Sequence, residues 1–158
     1  MKKLILCAII LLFSASVANA TWTFKVNPYR MSKNYLKWSV TLTSDGNALS
    51  ATDLMSITEM PTRLRALAQG ASYLIMKVSP GTGAVIPDNT IDIELENEEN
   101  DNMWADTAIS KDAISWHKLW ADIGTYLPVT AKLNLVVNDI GTAGDQVTIY
   151  FVCWVENP

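Results

Sequence analysis

A nine-residue alternation near the C-terminus constrains the fold of this chain more than any other feature. Every second side chain of the segment 147–155 is apolar, which predicts an extended strand with one buried face. That face consists of Val147, Ile149, Phe151, Cys153 and Val155. The opposite face carries Thr148, Tyr150, Val152 and Trp154. Cys153 is therefore predicted to be a buried, inert thiol rather than a partner for disulfide formation.

Further strands are predicted along the chain. Four segments alternate in the same way, namely 22–26, 36–42, 90–96 and 131–137. Residues 73–78 form a more uniformly apolar run, which is typical of a central strand. A glycine-rich turn at 141–144 suggests a hairpin between the last two alternating segments. Strands at this spacing predict an all-β fold, an antiparallel β-sandwich of the jelly-roll or immunoglobulin-like kind.

Two stretches predict short helices instead. Residues 50–53 resemble a capping box ahead of a helix that Pro61 would end. Ser110 is a candidate N-cap for a helix over 110–123, with Gly124 as its stop. One face of this helix would consist of Ala113, Trp116, Trp120 and Ile123. The segment 62–69 fits either a helix or a strand.

The first twenty residues are typical of a secretory signal peptide. Two lysines precede an apolar run over 4–13, and small residues then lead to a cleavage site between Ala20 and Thr21. The apolar run is shorter than the roughly 20 residues that span a bilayer. We expect an exported protein, periplasmic or extracellular, with one β-sandwich domain over 21–158. Removing residues 1–20 from the 158-residue chain would leave 138 residues, and a net charge of −4 would become −6 without those two lysines.

Few residues are suited to catalysis or to zinc. The single histidine, His117, lies in the predicted helix, and no nucleophile elbow is present. Removing the leader also removes Cys7, and one histidine and one cysteine cannot fill a tetrahedral zinc site without two carboxylates. A net charge of −4 without a basic cluster in the sequence argues against a nucleic-acid partner. We therefore expect a protein that is not an enzyme.

The acidic segment 88–101 is the most distinctive local feature. It holds seven of the sixteen acidic residues of the chain. The acids over 92–96 alternate with apolar residues, so the simplest interpretation is the solvent face of a strand. Alternatively, oxygen ligands in the following loop could bind calcium, with Glu98, Glu99 and Asp101 as candidates. Paired carboxylates are also the machinery of glycosidases, although any acidic loop contains such pairs.

Six tryptophans are the other unusual feature. Trp38 and Trp22 lie in apolar alternations and are expected to be buried, whereas Trp154 points away from Cys153. Exposed tryptophans could stack on sugars or anchor a protein–protein contact. The candidate contact residues are Trp104, Trp116, Trp120 and Trp154.

Over residues 73–151 the chain resembles the small β-sandwich structural proteins of tailed bacteriophages. The resemblance is carried by a strand before Ser79-Pro80-Gly81, the strand-forming segment 87–95, the loop 97–101, Leu127-Pro128-Val129, and the segment 141–150 with its two glycines. It implies a non-enzymatic virion component that assembles in many copies.

Two functions follow as expectations. The first is a structural, multi-copy surface or virion protein that contacts copies of itself or other surface proteins through strand edges and tryptophans. The alternative is a secreted binding module for a saccharide or a similar ligand, in which calcium could assist. Neither function requires another cofactor or a membrane span after the leader is removed.

Overall fold

The computed structural model describes residues 21–31, 34–119, 127–129, 131–138 and 140–155. They form one short helix, α1 (Thr62–Ala68), and a 3-10 turn at Gly83–Val85. The strands are β1 (Thr23–Met31), β2 (Tyr35–Thr43), β3 (Leu49–Asp53), β4 (Ala71–Pro80), β5 (Ile91–Glu96), β6 (Asn102–Ile109), β7 (Ser115–Lys118), β8 (Leu127–Pro128), β9 (Asn134–Val137) and β10 (Gln146–Val155). The predicted leader over 1–20 lies outside the described residues.

The strands form two sheets. Sheet 1 has the order β1-β2-β10-β4-β7, and β8 pairs with β4 beside it. Sheet 2 has the order β3-β9-β5-β6. Every pair of neighbouring strands is antiparallel, and the inner faces of both sheets contribute to one apolar core. The predicted all-β antiparallel sandwich is confirmed. None of the described helices is long and apolar enough to cross a membrane.

Three aromatic rings occupy the core under the middle of sheet 1. Trp38, Tyr73 and Phe151 are fully buried. The centroid of the Phe151 ring lies 4.7 Å from that of Trp38 and 5.4 Å from that of Tyr73. Offset and edge-on contacts of this kind add to the stabilisation that comes from burial alone. The burial of Trp38 confirms the sequence interpretation, whereas Trp22 is only half-buried and donates from Nε1 to the Asn47 carbonyl oxygen at 3.0 Å.

The alternation of β10 is confirmed residue by residue. All five apolar positions of its predicted inner face are buried, and the other positions are half-buried. Cys153 is a free, fully buried thiol. Burial raises its pKa, with smaller opposing effects from Trp38 and Tyr73. The thiol therefore stays protonated, which agrees with the expected inert role.

The predicted hairpin between β9 and β10 is wrong. β9 pairs with β3 and β5 in sheet 2, whereas β10 pairs with β2 and β4 in sheet 1. The turn at 141–144 therefore carries the chain from one sheet to the other. β9 and β10 each have one apolar face, and a strand of this kind can cover the core from either sheet. The apolar pattern therefore does not indicate which sheet a strand joins.

The predicted helix over 110–123 is wrong where the structure describes it. Residues 115–118 form the edge strand β7 on β4, and residues 120–126, with Trp120 and Gly124, lie outside the described part. Ser110 caps no helix, because its hydroxyl donates to the Asp112 carboxylate at 2.7 Å. Ala113 is exposed. The apolar residues of this segment have the spacing of a helix face. However, residues 115–118 form their backbone hydrogen bonds by pairing with β4 as a strand.

The first predicted helix is also misplaced. Residues 49–53 form β3, and the Asp53 carboxylate accepts a hydrogen bond from the Met55 amide at 2.9 Å, within a turn. Pro61 begins a helix instead of ending one, because it is the N-cap of α1. An aspartate before a tight turn and one before a helix accept similar local hydrogen bonds, so the motif does not separate the two.

The buried thiol predicts a specific loss of stability in alkaline solution. The unfolded chain loses the Cys153 proton above about pH 8.5, but burial raises the native pKa. The stabilising contribution is complete below the unfolded pKa and declines by up to about 1.4 kcal/mol per pH unit above it. Urea titrations between about pH 8 and pH 9.5 measure this decline. We expect a shallower decline in Cys153→Ala, and equal declines in both proteins would contradict the assignment.

Candidate functional site

A shallow cavity of about 210 Å³ opens on the outer face of sheet 1, away from the core. Its lining combines aromatic rings with two lysines, and consists of Tyr29, Lys37, Lys77, Trp116, Tyr150 and Val152. These residues come from five different strands, β1, β2, β4, β7 and β10. A concave surface with apolar rings and a few polar groups is the usual form of a small-ligand site.

Strand register brings these side chains together. Tyr150 of β10 is opposite Lys77 of β4, and Lys77 is opposite Trp116 of β7. Residues directly opposite on adjacent antiparallel strands place their side chains on the same face, about 5 Å apart. The three side chains therefore form a continuous row across sheet 1, on the face opposite to the core residues Met76 and Phe151.

A bulge in β1 adds the fourth ring. The β1–β2 register shifts between Pro28 and Arg30, so Tyr29 is the extra residue of the bulge. Its ring stacks on that of Tyr150, with centroids 5.7 Å apart and planes at 30°. The Tyr29 hydroxyl accepts a hydrogen bond from Ser39 Oγ at 3.5 Å, and Ser39 itself is fully buried. The bulge therefore aims Tyr29 over the sheet instead of past its edge.

The rings of Trp116 and Tyr29 are open to solvent, although Tyr29 stacks on Tyr150. Trp116 is 64% exposed and Tyr29 is 57% exposed. Between them, Lys77 Nζ lies 4.6 Å from the centroid of Tyr150 and 5.5 Å from that of Trp116. Both distances are within the range of cation–π attraction. The lysine is thus held in place by two rings, while its ammonium remains able to bind another group.

The hydroxyl of Tyr150 is a neutral donor at the floor of the cavity. Burial raises its pKa, and the neighbouring Tyr29 hydroxyl raises it further. The phenol therefore stays protonated at physiological pH and can both donate and accept a hydrogen bond. Together with the ammonium groups of Lys37 and Lys77, it gives the cavity several hydrogen-bond donors around an aromatic floor.

A second aromatic pair lies farther along the same face. Tyr35 of β2 packs edge-on against Trp154 of β10, with centroids 4.9 Å apart. Trp154 follows Tyr150 by four residues and shares its side of the strand, which separates the two by about 13 Å. The aromatic face, as we call the set Tyr29, Tyr35, Trp116, Tyr150 and Trp154, is therefore longer than the cavity itself.

The structure separates the four predicted contact residues. Trp116 and Trp154 lie on the aromatic face, where Trp116 is exposed and Trp154 is half-buried. Trp104 lies in β6 of sheet 2 and packs partly against the core, and Trp120 lies outside the described residues. The sequence analysis missed Tyr29, Lys37 and Lys77 as members of a site. The alternation of β10 did place Tyr150 on the same face as Trp154, which was the available signal.

The acidic segment has a structural explanation. Ile91, Ile93 and Leu95 are buried in β5, and the acids between them are half-buried, so the strand interpretation is confirmed. In the following loop, the Asn97 side chain accepts hydrogen bonds from the amides of Glu99 and Asp101. In the part of the chain that is described, no three histidine, cysteine or acidic side chains form a group that could hold a metal ion.

His117 connects the edges of the two sheets. It lies on the inner side of β7, where Nδ1 is 2.8 Å from Asp106 Oδ2 of β6. Its Nε2 is 2.8 Å from Ser115 Oγ, and its ring packs edge-on against Trp104 at 5.5 Å. The order Ser–His–Asp is that of a hydrolase triad. However, Ser115 and His117 face inward, whereas the cavity opens on the outer side of the same strand. We therefore interpret the contacts of His117 with Asp106, Ser115 and Trp104 as a structural link between the two sheets, and call them the clasp.

The comparisons with known proteins show no family for this chain. No protein-family model matches the chain, and no curated protein matches it. Among solved structures, the chain is similar to the CBM22-1 xylan-binding domain of Paenibacillus barcinonensis Xyn10C. The TM-score is 0.35 and the identity 13%, over 87% of each chain. The resemblance to bacteriophage structural proteins remains a prediction.

The clasp predicts a measurable contribution to stability. Replacing His117 by alanine removes its hydrogen bonds to Asp106 and Ser115 and its contact with the Trp104 ring. We expect the free energy of unfolding to fall by about 2 kcal/mol, as measured by urea titration. Asp106→Asn keeps an oxygen acceptor for Nδ1, so its loss is expected to be smaller. A His117→Ala protein as stable as the parent would show that the two edges are held by other contacts.

Proposed function

We propose that this protein is a saccharide-binding module that uses the outer face of sheet 1. The observation that carries this proposal is the cavity in which the exposed rings of Trp116 and Tyr29 accompany Tyr150 and two lysines. A pyranose ring has an apolar C–H face and a rim of hydroxyl groups. Aromatic rings can cover the first, and phenol and ammonium donors can bind the second.

The arrangement also keeps the entropic cost of binding low. Tyr29 is fixed by stacking on Tyr150, and Lys77 is positioned by two rings. Side chains that are ordered before the ligand arrives lose little rotamer freedom when it binds. Lys77 and Tyr150 lie on β4 and β10, which are hydrogen-bonded on both sides, whereas Tyr29 and Trp116 lie on the edge strands β1 and β7.

Binding without catalysis fits the position of the reactive groups. Cys153 is buried, and the Ser115–His117 pair faces the inner side of β7.

We propose that the leader exports the protein and that it meets its ligand outside the cytoplasm. A calcium-assisted form of binding through Glu98, Glu99 and Asp101 stays a prediction, which a comparison of binding with and without a chelator would test.

Removing exposed rings should weaken saccharide binding without unfolding the protein. We expect Trp116→Ala and Tyr29→Ala each to lower affinity for a bound oligosaccharide by about two- to tenfold, because stacking contacts contribute about 0.5–1.5 kcal/mol each. The measurement is isothermal titration calorimetry on a panel of neutral and acidic oligosaccharides, preceded by affinity electrophoresis in polysaccharide gels to choose the panel.

A matched control separates stacking from a general loss of apolar surface. Ile114 is 57% exposed and does not line the cavity, so Ile114→Ala should bind like the parent. Thermal melting of each variant shows whether its fold is retained. If a well-folded Trp116→Ala protein kept full affinity, the cavity would not be the binding site, and if no oligosaccharide bound the parent, the proposed function would be wrong.

A second candidate function is assembly with other copies of the chain, as a surface or virion component. The observation that favours it is β1, a nine-residue edge strand that pairs with β2 along one side only, among the described residues. Unpaired edges of this kind are templates for intermolecular pairing. Pro28 and the bulge residue Tyr29 interrupt the edge of β1, which limits intermolecular pairing to part of the length of this strand.

Assembly through this edge predicts a large particle. Light scattering over a concentration series should give a mass well above that of one 138-residue chain, and Val26→Pro in β1 should lower it. The particle should survive EDTA, because the edge holds no metal ligand. A single-chain mass at every concentration would exclude assembly and leave the binding module as the function to pursue.

A further inference from the structure

The lysine, arginine and acidic residues within the strands are segregated between the two sheets. The strands of sheet 1 contain five basic residues and no acidic ones, namely Lys25, Arg30, Lys37, Lys77 and Lys118. The strands of sheet 2 contain five acidic residues and no basic ones, namely Asp53, Asp92, Glu94, Glu96 and Asp106. This division occurs in a chain that is acidic as a whole, with 16 acidic and 12 basic residues.

The lysines of sheet 1 lie on the same side as the aromatic face. Lys37 is opposite Val152, and Lys77 is opposite Tyr150, in the register of β10 with its neighbours. Lys25 and Lys118 are exposed on the outer strands β1 and β7. Lysines clustered on one face create a positive potential above it, which attracts anions over distances of about a Debye length.

The two lysines of the cavity are available to a ligand. Among the described residues, the ion pair between His117 and Asp106 is the only one, so neither Lys37 nor Lys77 is neutralised by a carboxylate there. Within the described part of the chain, the ammonium of Lys77 lies over the π faces of Tyr150 and Trp116. A carboxylate or sulfate that entered the cavity would gain charge-assisted hydrogen bonds, which are about twice as strong as neutral ones.

We propose that the ligand is an anionic saccharide, one that carries uronate carboxylates or sulfate esters. This inference rests on the proposed function and specifies its ligand class. The sugar rings lie on Tyr29, Trp116 and Tyr150, and the acidic group of one residue lies between Lys37 and Lys77. The acidic residues of sheet 2 repel the same polyanion, so it is directed to sheet 1.

A saccharide fits these observations better than a nucleic acid. A nucleic-acid strand brings one phosphate charge per nucleotide and requires a long basic track. Here the strands of sheet 1 carry five basic residues in total, and the chain as a whole has a net charge of −4. The cavity combines a single pair of lysines with several rings, which suits a chain of sugar rings with spaced charges.

The test compares ligands that differ only in charge. Oligogalacturonates and their methyl esters have the same backbone, and so do dextran sulfate and dextran; the two pairs separate carboxylate from sulfate recognition. We expect the charged member of one pair to bind at least about tenfold more tightly. Its affinity should fall as NaCl rises from about 50 mM to about 500 mM.

Variants then assign the effect to the two lysines. Lys37→Gln and Lys77→Gln should each weaken binding of the acidic member by about tenfold. They should weaken any binding of the neutral member less, because the glutamine amide can still donate a hydrogen bond to a sugar hydroxyl. Lys77→Arg keeps the charge and should retain most of the affinity. Lys132→Gln removes an exposed positive charge outside sheet 1 and should have no effect.

The binding and mass measurements distinguish an anionic saccharide from the other possible ligands of this face. Equal binding of charged and neutral members, unaffected by salt or by the lysine variants, would overturn the anionic ligand and leave the saccharide-binding function intact. Absence of binding to every saccharide would overturn both. Tighter binding of ten-residue oligothymidylate than of any acidic saccharide would replace the saccharide with a nucleic acid. A rise in mass without ligand, abolished by Lys37→Gln, would assign the face to a second copy of the chain.

Discussion

The structure depends on the double pairing of β10. This strand is hydrogen-bonded to β2 on one side and to β4 on the other, over most of its length. Because successive side chains of a strand point to opposite faces, its alternation places Phe151 and Cys153 in the core and Tyr150 and Trp154 outside. The same strand therefore contributes side chains to the core and supplies Tyr150 at the floor of the cavity.

Local alternation explains which parts of the fold were predictable from the sequence. β2, β5 and β10 were recognised because each alternates with one apolar face, and β4 was recognised because its segment 73–78 is more uniformly apolar. Which strands pair was not predictable in the same way: β9 has an apolar face like that of β10, and such a face fits either sheet. β7 was mistaken for a helix because four residues are too few to display an alternation, and Trp116 and Trp120 happened to have helical spacing.

The candidate site was predictable only in part, for a related reason. Trp116 and Trp154 could be selected from the sequence because exposed tryptophans often form contacts. The alternation of β10 also places Tyr150 on the same face as Trp154. Their neighbours come from distant parts of the chain. Tyr29 reaches the face because a bulge adds one residue to β1, and Lys77 does so through its register with Tyr150. Bulges and registers are set by the paired strands together, so no single segment displays them.

The separation of charge between the sheets links the two candidate functions. Charges on the outer faces stay solvated, so their segregation costs little in folding free energy, yet it gives the molecule a positive and a negative side. A positive side suits an anionic saccharide, and it also complements the acidic side of another copy. Contact between unlike faces is heterologous and would propagate into a filament. Lys37 and Lys77 would then bind either the saccharide or the neighbouring copy, and the two functions would compete for one face.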